Sequence, residues 1–298
     1  YLKDHRDGSK RVEDMIRDIE AKLRKGYNRL VSFESSDGGF EWFGGSPGHE
    51  ALTAYGVAQF KDMQRVLPGL VDETMLKRTE SWLLSRRDEK GGFERNAKAL
   101  DSFGRASAST TDAYITFSLL REDNSEELRK EIEALERSAR VSEDAYLSAL
   151  AALALYRVGR ANDARVLAKN LASHQEDDGS VLRTSETITV SGGISKTLET
   201  TALAALAWME SDAEFADHTR RAIEFIVVSC KGGRFGSTQA TVLSLRAIVE
   251  YEKLQRGTDD TVGGGVRLTF DGRTVDTRRF IKSNDGNDGS DDTVDGVL

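Results

Sequence analysis

Cysteine and proline are nearly absent from this sequence of 298 residues. The single cysteine, Cys230, excludes a disulfide framework, a cysteine-rich zinc site and an iron–sulfur centre. It follows a predicted helix, where we expect a buried, unreactive thiol. The only prolines are Pro47 and Pro68. Because proline destabilises a helix interior by about 3 kcal/mol, long helices are permitted over almost the whole chain.

A surplus of positive charge is also missing. Lysine and arginine number 42, against 50 aspartates and glutamates, which gives a net charge of −8. This balance argues against nucleic acid and anionic membranes as partners, since both are bound by replacing counterions with basic side chains. We therefore expect no nucleic-acid partner.

Long apolar runs are absent as well. The longest uncharged core-like run, Ala145–Tyr156, has 12 residues, too few to span a bilayer. We expect no membrane insertion. The chain opens on charged residues, without a signal peptide and without Met. We interpret it as a piece of a longer protein.

Two kinds of helical pattern alternate along the chain. Residues 11–32 and Ser125–Ala139 carry apolar residues at three- and four-residue spacing, which is typical of helices with one face in water. Other segments are apolar nearly all round, and a helix without a polar face must be buried on all sides. These segments are Ala145–Tyr156, Thr200–Met209 and Thr241–Tyr251. The alternation indicates two concentric layers of helices.

Glycine turns and a short sequence motif recur along the chain at regular distances. Gly39 and Gly92 lie 53 residues apart, and Gly179 and Gly233 lie 54 apart. A short motif around an alanine also recurs in the segments predicted to be buried helices, from Ala54 to Ala240. These two alanines lie 186 residues apart, which makes four repeats of 46.5 residues on average. One repeat of this length is a helix pair with its loops. We predict an all-α fold, an α/α toroid of helix hairpins, over residues 1–257. The alternative is an open superhelix of helix pairs. We favour the ring, because the inner helices are too apolar to line an exposed concave surface.

The composition changes after Arg256. Residues 258–283 combine a Gly-rich linker with alternating apolar positions around Asp271-Gly272, which predicts a β-hairpin. Because an isolated hairpin is not stable, it must either dock on the ring or pair with a further β segment. We interpret it as the start of an adjoining β domain. Residues 284–298 hold five aspartates and no basic residue, a composition typical of a disordered acidic tail.

A toroidal enzyme acting on carbohydrate or isoprenoid substrates is one possible function. The string Asp291-Asp292-Thr293-Val294-Asp295 has the spacing that holds magnesium diphosphate in isoprenoid enzymes. In those enzymes the carboxylates share a helix face, whereas here they lie in a Gly-rich tail without a predicted helix. A glycosidase needs two carboxyls across a cleft and aromatic platforms, and Trp42 is the only tryptophan outside the predicted helices. The four histidines lie far apart in the sequence, so no two of them have the spacing of metal ligands. We therefore favour a non-enzymatic protein with no cofactor and no metal.

Several motifs follow one another in an order found in a known family. They are Lys25-Gly26-Tyr27, Leu52-Thr53-Ala54-Tyr55, Ser81-Trp82-Leu83-Leu84, Gly91-Gly92-Phe93 and Gly236-Ser237-Thr238-Gln239-Ala240-Thr241. Over residues 11–256 the sequence resembles the thioester domain of the alpha-2-macroglobulin and complement family. The string that starts at Gly236 is the most specific, because Gly-Gly-Phe turns occur in other toroids too. The strings around Trp42 and His49 look most like bacterial or other non-vertebrate members.

The resemblance implies an α-helical toroid within a large secreted or periplasmic protein that also contains β-sandwich domains. In active members a Cys and a Gln form an internal thioester, which acylates an amine or hydroxyl on the target. The implied function is endopeptidase inhibition by protease trapping, or complement-like tagging of surfaces. The implied partners are target proteases or surface proteins, reached through the parent, and the flanking β-sandwich domains.

The sequence departs from the family pattern at two places. The Cys-Gly-Glu-Gln motif is not in the chain, and its family position would fall shortly before Tyr1. Asp101 stands where the family has its acyl-transfer histidine, and a carboxylate takes over an acyl group poorly. The resemblance therefore implies direct attack by amines if a thioester lies upstream. A role of Asp101 as an N-cap or loop carboxylate is equally open.

The Gly236 string also permits a local structural prediction. Because Gly232, Gly233 and Gly236 interrupt the chain, the next helix must start at Ser237 or Thr238. We predict that one of these hydroxyls caps the last inner helix. Gln239 is expected to turn toward the interior of the ring.

Overall fold

The computed structural model describes residues 9–96, 106–121, 123–211 and 213–258, and the backbone of 264–270 and 273–280; side chains are described up to residue 255. Over residues 9–258 the described chain forms helices joined by loops of very different lengths. The helices are α1 Lys10–Val31, α2 Glu50–Val66, α3 Glu73–Leu84, α4 Ala108–Leu119, α5 Arg129–Val141, α6 Ala145–Arg157, α7 Ala161–Ser173, α8 Gly193–Met209, α9 Ala216–Val228 and α10 Thr238–Thr258, with a 3₁₀ turn at Ala213–Phe215.

The helices form an inner and an outer layer. Helices α2, α4, α6, α8 and α10 pack against one another in that order, and α3, α5, α7 and α9 each pack outside their inner neighbours. Helix α6 is buried without a break from Ala145 to Leu155. In α5 only one stripe is buried: Glu131, Ile132, Leu135 and Ala139. The two predicted kinds of helix thus correspond to the two layers, with one exception: Thr241–Tyr251 of α10 was expected to be buried on all sides, but it is only partly buried, and Leu245 is 49% exposed.

The inner layer closes between its last and first helices. Nη1 of Arg246 on α10 lies 4.0 Å from Oδ1 of Asp62 on α2. Tyr55 of α2 and Gln239 of α10 line a common cavity. The predicted α/α toroid is therefore confirmed.

The repeated register has a physical reason. After each of the helices α1, α3, α7 and α9, a tight glycine turn forms a one-residue antiparallel bridge. A backbone N–H at each turn then donates to a side chain on the next inner helix, which fixes the outer helix to the inner one. These bonds are Phe40 to Thr53 Oγ1 at 2.8 Å, Phe93 to Asp112 Oδ1 at 3.2 Å, Val181 to Thr201 Oγ1 at 2.9 Å and Phe235 to Thr241 Oγ1 at 3.2 Å.

Asp112 is the one carboxylate among these four acceptors. Burial raises the pKa of Asp112 to about 6, an effect increased by nearby Asp88 and opposed by the Phe93 hydrogen bond and by Arg95. A carboxyl whose pKa is higher in the folded chain binds its proton more tightly there. Stability is therefore lost as the pH rises from the unfolded pKa near 4 to the folded pKa near 6.

Asp112→Thr, which copies the other three turns, should remove this pH dependence. Between pH 4 and pH 7, the wild-type free energy of unfolding is expected to fall relative to the variant by on the order of 2 kcal/mol. Urea unfolding of both proteins at the two pH values measures the difference. A constant offset between the two proteins would contradict the raised pKa.

The chain after the ring contains a β-hairpin. Strand β1 Gly264–Phe270 pairs antiparallel with β2 Arg273–Phe280, with Leu268 opposite Asp276 and an irregularity after Leu268. The boundaries at 1–257, 258–283 and 284–298, and the assignment of the hairpin to an adjoining β domain, stay predictions. Residues 284–298 lie outside the described part of the chain.

Candidate functional site

A cavity of about 470 Å³ opens at the amino-terminal ends of α2 and α10, and we call it the amino-end cavity. Its walls also include the end of α1 and the loop before α8. The lining includes Leu30, Trp42, His49, Glu50, Ala51, Leu52, Tyr55, Arg95, Ile188, Thr189, Ser191, Ser237, Thr238 and Gln239. Three residues of the family string, Ser237, Thr238 and Gln239, thus lie on one wall of this cavity.

Gly236 and Ser237 join the start of α10 to α8. Gly236 has a φ of +86°, and a side chain there would overlap the Ser195 hydroxyl. The backbone N–H of Ser237 donates to Ser195 Oγ at 2.9 Å. Ser237 Oγ accepts from the backbone N–H of Ala240 at 3.1 Å and so caps α10. Glycine at 236 thus avoids the overlap with Ser195, and serine at 237 supplies the hydroxyl that caps α10.

A buried carboxylate lies behind Ser237. Glu199 of α8 is 0% exposed, and no cationic side chain in the described part of the chain forms an ion pair with it. Its oxygens accept hydrogen bonds from Ser191 Oγ at 2.6 Å, Ser237 Oγ at 3.0 Å and Thr189 Oγ1 at 3.2 Å. These bonds tie the loop before α8 and the start of α10 to one point. The sequence analysis does not identify Glu199 as a site residue. The one sequence signal for it is that a lone carboxylate directly precedes the apolar segment Thr200–Met209.

Gln239 is buried and faces the interior of the ring. It forms a side-chain hydrogen bond with Tyr114 of α4, and the Tyr114 ring stacks on Tyr55 of α2 with centroids 6.5 Å apart. Burial raises the pKa of the Tyr114 hydroxyl, with further contributions from Tyr55, Asp62 and Glu199. Gln239 therefore supplies a polar partner in a region where Tyr114 must stay neutral.

His49 and Glu50, at the start of α2, line the same cavity as Ser237. His49 caps α2, because its Nδ1 accepts from the backbone N–H of Leu52 at 3.3 Å, and a neutral ring then carries its proton on Nε2. Glu50 is buried and accepts from Arg86 Nε at 3.0 Å and from the backbone N–H of Asn96 at 3.1 Å. Nothing in the sequence indicates that His49 and Ser237, 188 positions apart, share a cavity.

The described lining offers hydroxyl groups, an imidazole and a guanidinium, but no thiol. Ser237 already caps a helix and donates to Glu199, so its hydroxyl is held in place on both sides. The mostly apolar walls are suited to receiving apolar side chains. In the part of the chain that the structure describes, no group of three or more His, Cys, Asp or Glu side chains could hold a metal ion.

Two sequence-derived candidates lie elsewhere. Asp101 falls outside the described residues, so its role as the acyl-transfer residue stays a prediction. Cys230 is exposed, and the expectation of a buried thiol is wrong. The buried stripe of α9 runs through Ala222, Ile223 and Ile226, but the helix ends at Val228 and does not carry that stripe to position 230.

Comparisons with known proteins place this toroid in a family. The family model described as the A-macroglobulin TED domain matches residues 1–251, and the chain belongs to this family. A relative is the protein named venom factor from Crotalus adamanteus, which is 27% identical over 248 residues. The match covers 78% of this chain but 14% of the relative, so the chain spans about one seventh of that protein's length. Among the helices described here, none has the length and apolar character to cross a membrane.

Ser237→Ala is expected to lower the free energy of unfolding by about 2 kcal/mol, about half from the lost cap and half from the lost donor to buried Glu199. Thr238→Val is the matched control. The Thr238 hydroxyl makes no hydrogen bond among the described contacts, so this change should stay within about 0.5 kcal/mol. Urea unfolding separates the two variants. Equal effects would show that the Ser237 contacts are not what stabilises this end of α10.

Proposed function

We propose that this chain is the toroidal domain of a larger macroglobulin-like protein that inhibits endopeptidases by trapping them, or tags surfaces as complement proteins do. The observation that carries the proposal is the family match over residues 1–251. The parent acts outside the cell or in the periplasm. Its partners are target proteases or surface proteins, and the domain itself lies among β-sandwich domains of the same molecule.

In this proposal the domain contributes binding surfaces, and no reaction of its own. The described lining of the amino-end cavity lacks a thiol, and the single cysteine lies at the end of an outer helix. A covalent bond to the target would need a thioester supplied by another part of the parent. With Asp101 in place of an imidazole, amines would be the preferred acceptors.

The chain alone is expected to form no covalent adduct. We would incubate it with methylamine, and separately with a trypsin-like protease, and weigh it intact by mass spectrometry. The predicted result is no species heavier than the chain itself, because the Cys-Gly-Glu-Gln motif is absent from the sequence. A stoichiometric gain of one methylamine, or of the protease, would contradict the proposal. Cys230→Ser is the control that removes mass gains caused by oxidation or disulfide formation of the exposed thiol.

A ligand titration tests the domain against the enzymatic alternative. Calorimetric titration with oligosaccharides and with inorganic diphosphate, with and without Mg²⁺, should show no saturable binding. Saturable binding of a sugar or of magnesium diphosphate in the ring, accompanied by turnover, would favour an enzyme over the binding module. Diphosphate binding without turnover would contradict the expected absence of binding but would not favour an enzyme, since basic side chains can hold a small anion without catalysis.

A further inference from the structure

A second cavity, of about 640 Å³, lies at the carboxyl-terminal ends of the inner helices, and we call it the carboxyl-end cavity. Its position is opposite to that of the amino-end cavity along the inner helices. Four basic side chains line it, together with two acidic ones, Glu210 and Glu250; the basic residues are Arg65, Arg157, Arg246 and Lys253. Such a concentration of guanidinium groups is unexpected in a chain with a net charge of −8.

Arg157 is fixed in place without a carboxylate partner. Its Nη1 donates to the backbone carbonyls of Phe117 at 3.1 Å and of Leu120 at 3.3 Å. Its Cζ lies 4.8 Å from the centre of the Phe117 ring. No ion pair of Arg157 occurs in the described part of the chain. Burial lowers the pKa of Arg157, and the nearby Arg246 and Arg65 lower it further, while Glu210 and Asp62 oppose the effect.

Arg246 is also short of acceptors. Its Nε is buried and has no hydrogen-bond partner among the described residues. The carboxylate that it faces, Asp62, lies 4.0 Å from Arg246 Nη1 but only 2.6 Å from Arg65 Nη2. One carboxylate therefore serves two guanidinium groups. Lys253, by contrast, is matched by Glu250 at 3.3 Å.

We propose that the carboxyl-end cavity binds an acidic peptide segment of a partner protein, with one carboxylate held between Arg157 and Arg246. An arginine fork matches a carboxylate through two parallel hydrogen bonds. Leucine and methionine side chains complete the wall and suit an apolar neighbour in the same peptide; they are Leu153, Leu203, Leu206 and Met209. Glu210 and Glu250 disfavour a polyphosphate or nucleic acid, whose charge is denser.

The test uses the full chain and a fluorescein-labelled peptide of alternating Glu and Leu, followed by anisotropy at low salt. A peptide with Gln in place of every Glu is the control ligand. We expect saturable binding of the Glu peptide only, weakened about tenfold by Arg157→Gln and by Arg246→Gln. Arg157→Lys keeps the charge and should weaken binding less. Arg220→Gln, on the outer face of α9 and paired with Asp217 and Glu224, should change nothing.

Other results would overturn the proposal. Absence of binding, or equal binding of the Gln peptide, would exclude a carboxylate site. Competition by inorganic phosphate at the concentration of the peptide itself would indicate a small-anion site without peptide specificity. If truncation after Ser283 raises the peptide affinity several-fold, the acidic segment 284–298 of this chain is the occupant, and the partner assignment is wrong. Far-ultraviolet circular dichroism of each variant confirms that the ring is intact.

Discussion

Gly179→Ala is expected to destabilise the ring by about 3 kcal/mol or more. Gly179 forms the tight turn after α7, with a φ of +89°. An added Cβ would overlap the carbonyl oxygen of Arg221 on α9 and lie 3.3 Å from Phe225 Cβ. Because the obstacle is helix backbone, α9 would have to move away from the turn. Backbone strain and this overlap act in the same direction.

Gly159→Ala is the matched control for the strain alone. Gly159 has a φ of +75°, but nothing lies within 4 Å of the position of an added Cβ. This change should cost about 1 kcal/mol. Urea unfolding of the two variants isolates the contact with α9. Equal destabilisation would mean that the glycine turn is not closely packed against the outer helix.

Glu199→Ala is expected to destabilise the domain by about 3 kcal/mol, because three hydroxyl donors lose their common acceptor in a fully buried place. Glu199→Gln is the matched control. It retains a side-chain oxygen at nearly the same position and should cost clearly less. The loop before α8 should also lose protection from hydrogen exchange in the alanine variant.

Hydrogen exchange decides how Glu199 acts. If Glu199 holds the loop at 187–191 and the start of α10 together, exchange in both segments should quicken in Glu199→Ala while α4 and α6 stay protected. Uniform loss of protection would indicate a general core defect. A stability equal to that of the wild type would contradict the interpretation of Glu199 as the link between the loop and the two helices.

The ring itself could be predicted from the sequence because burial leaves a strong pattern. The apolar run at Ala145–Tyr156 became α6 at Ala145–Arg157. The pattern failed where polar groups are buried: Thr200–Met209 was predicted, but α8 starts at Gly193. Lys196 and Glu199 interrupt the apolar pattern, and Glu199 is buried only because hydroxyls from other segments satisfy it. That compensation depends on tertiary contacts, which periodicity does not report.

The candidate site was predictable only in part. Turn-forming glycines and hydroxyl residues indicated a cap at 237 or 238, and the structure places the capping hydroxyl on Ser237. The shared cavity of Ser237, His49 and Glu50 depends on ring closure between distant helices, so no local pattern could indicate it. The exposure of Cys230 depends on where α9 ends, and helix boundaries are the least reliable element of a sequence-based prediction.

The proposed function is tested most directly on the parent protein that contains this domain. The parent would be mixed with a trypsin-like protease and assayed against a large protein substrate and a small peptide substrate, while capture on an amine-bearing surface is measured in parallel. If the parent traps proteases, cleavage of the large substrate should fall while peptide cleavage persists, because the enclosure keeps only large molecules away from the protease. If the parent tags surfaces, the protease-treated parent should attach to the amine-bearing surface. Unchanged cleavage of both substrates, together with no attachment to the surface, would contradict the proposed function.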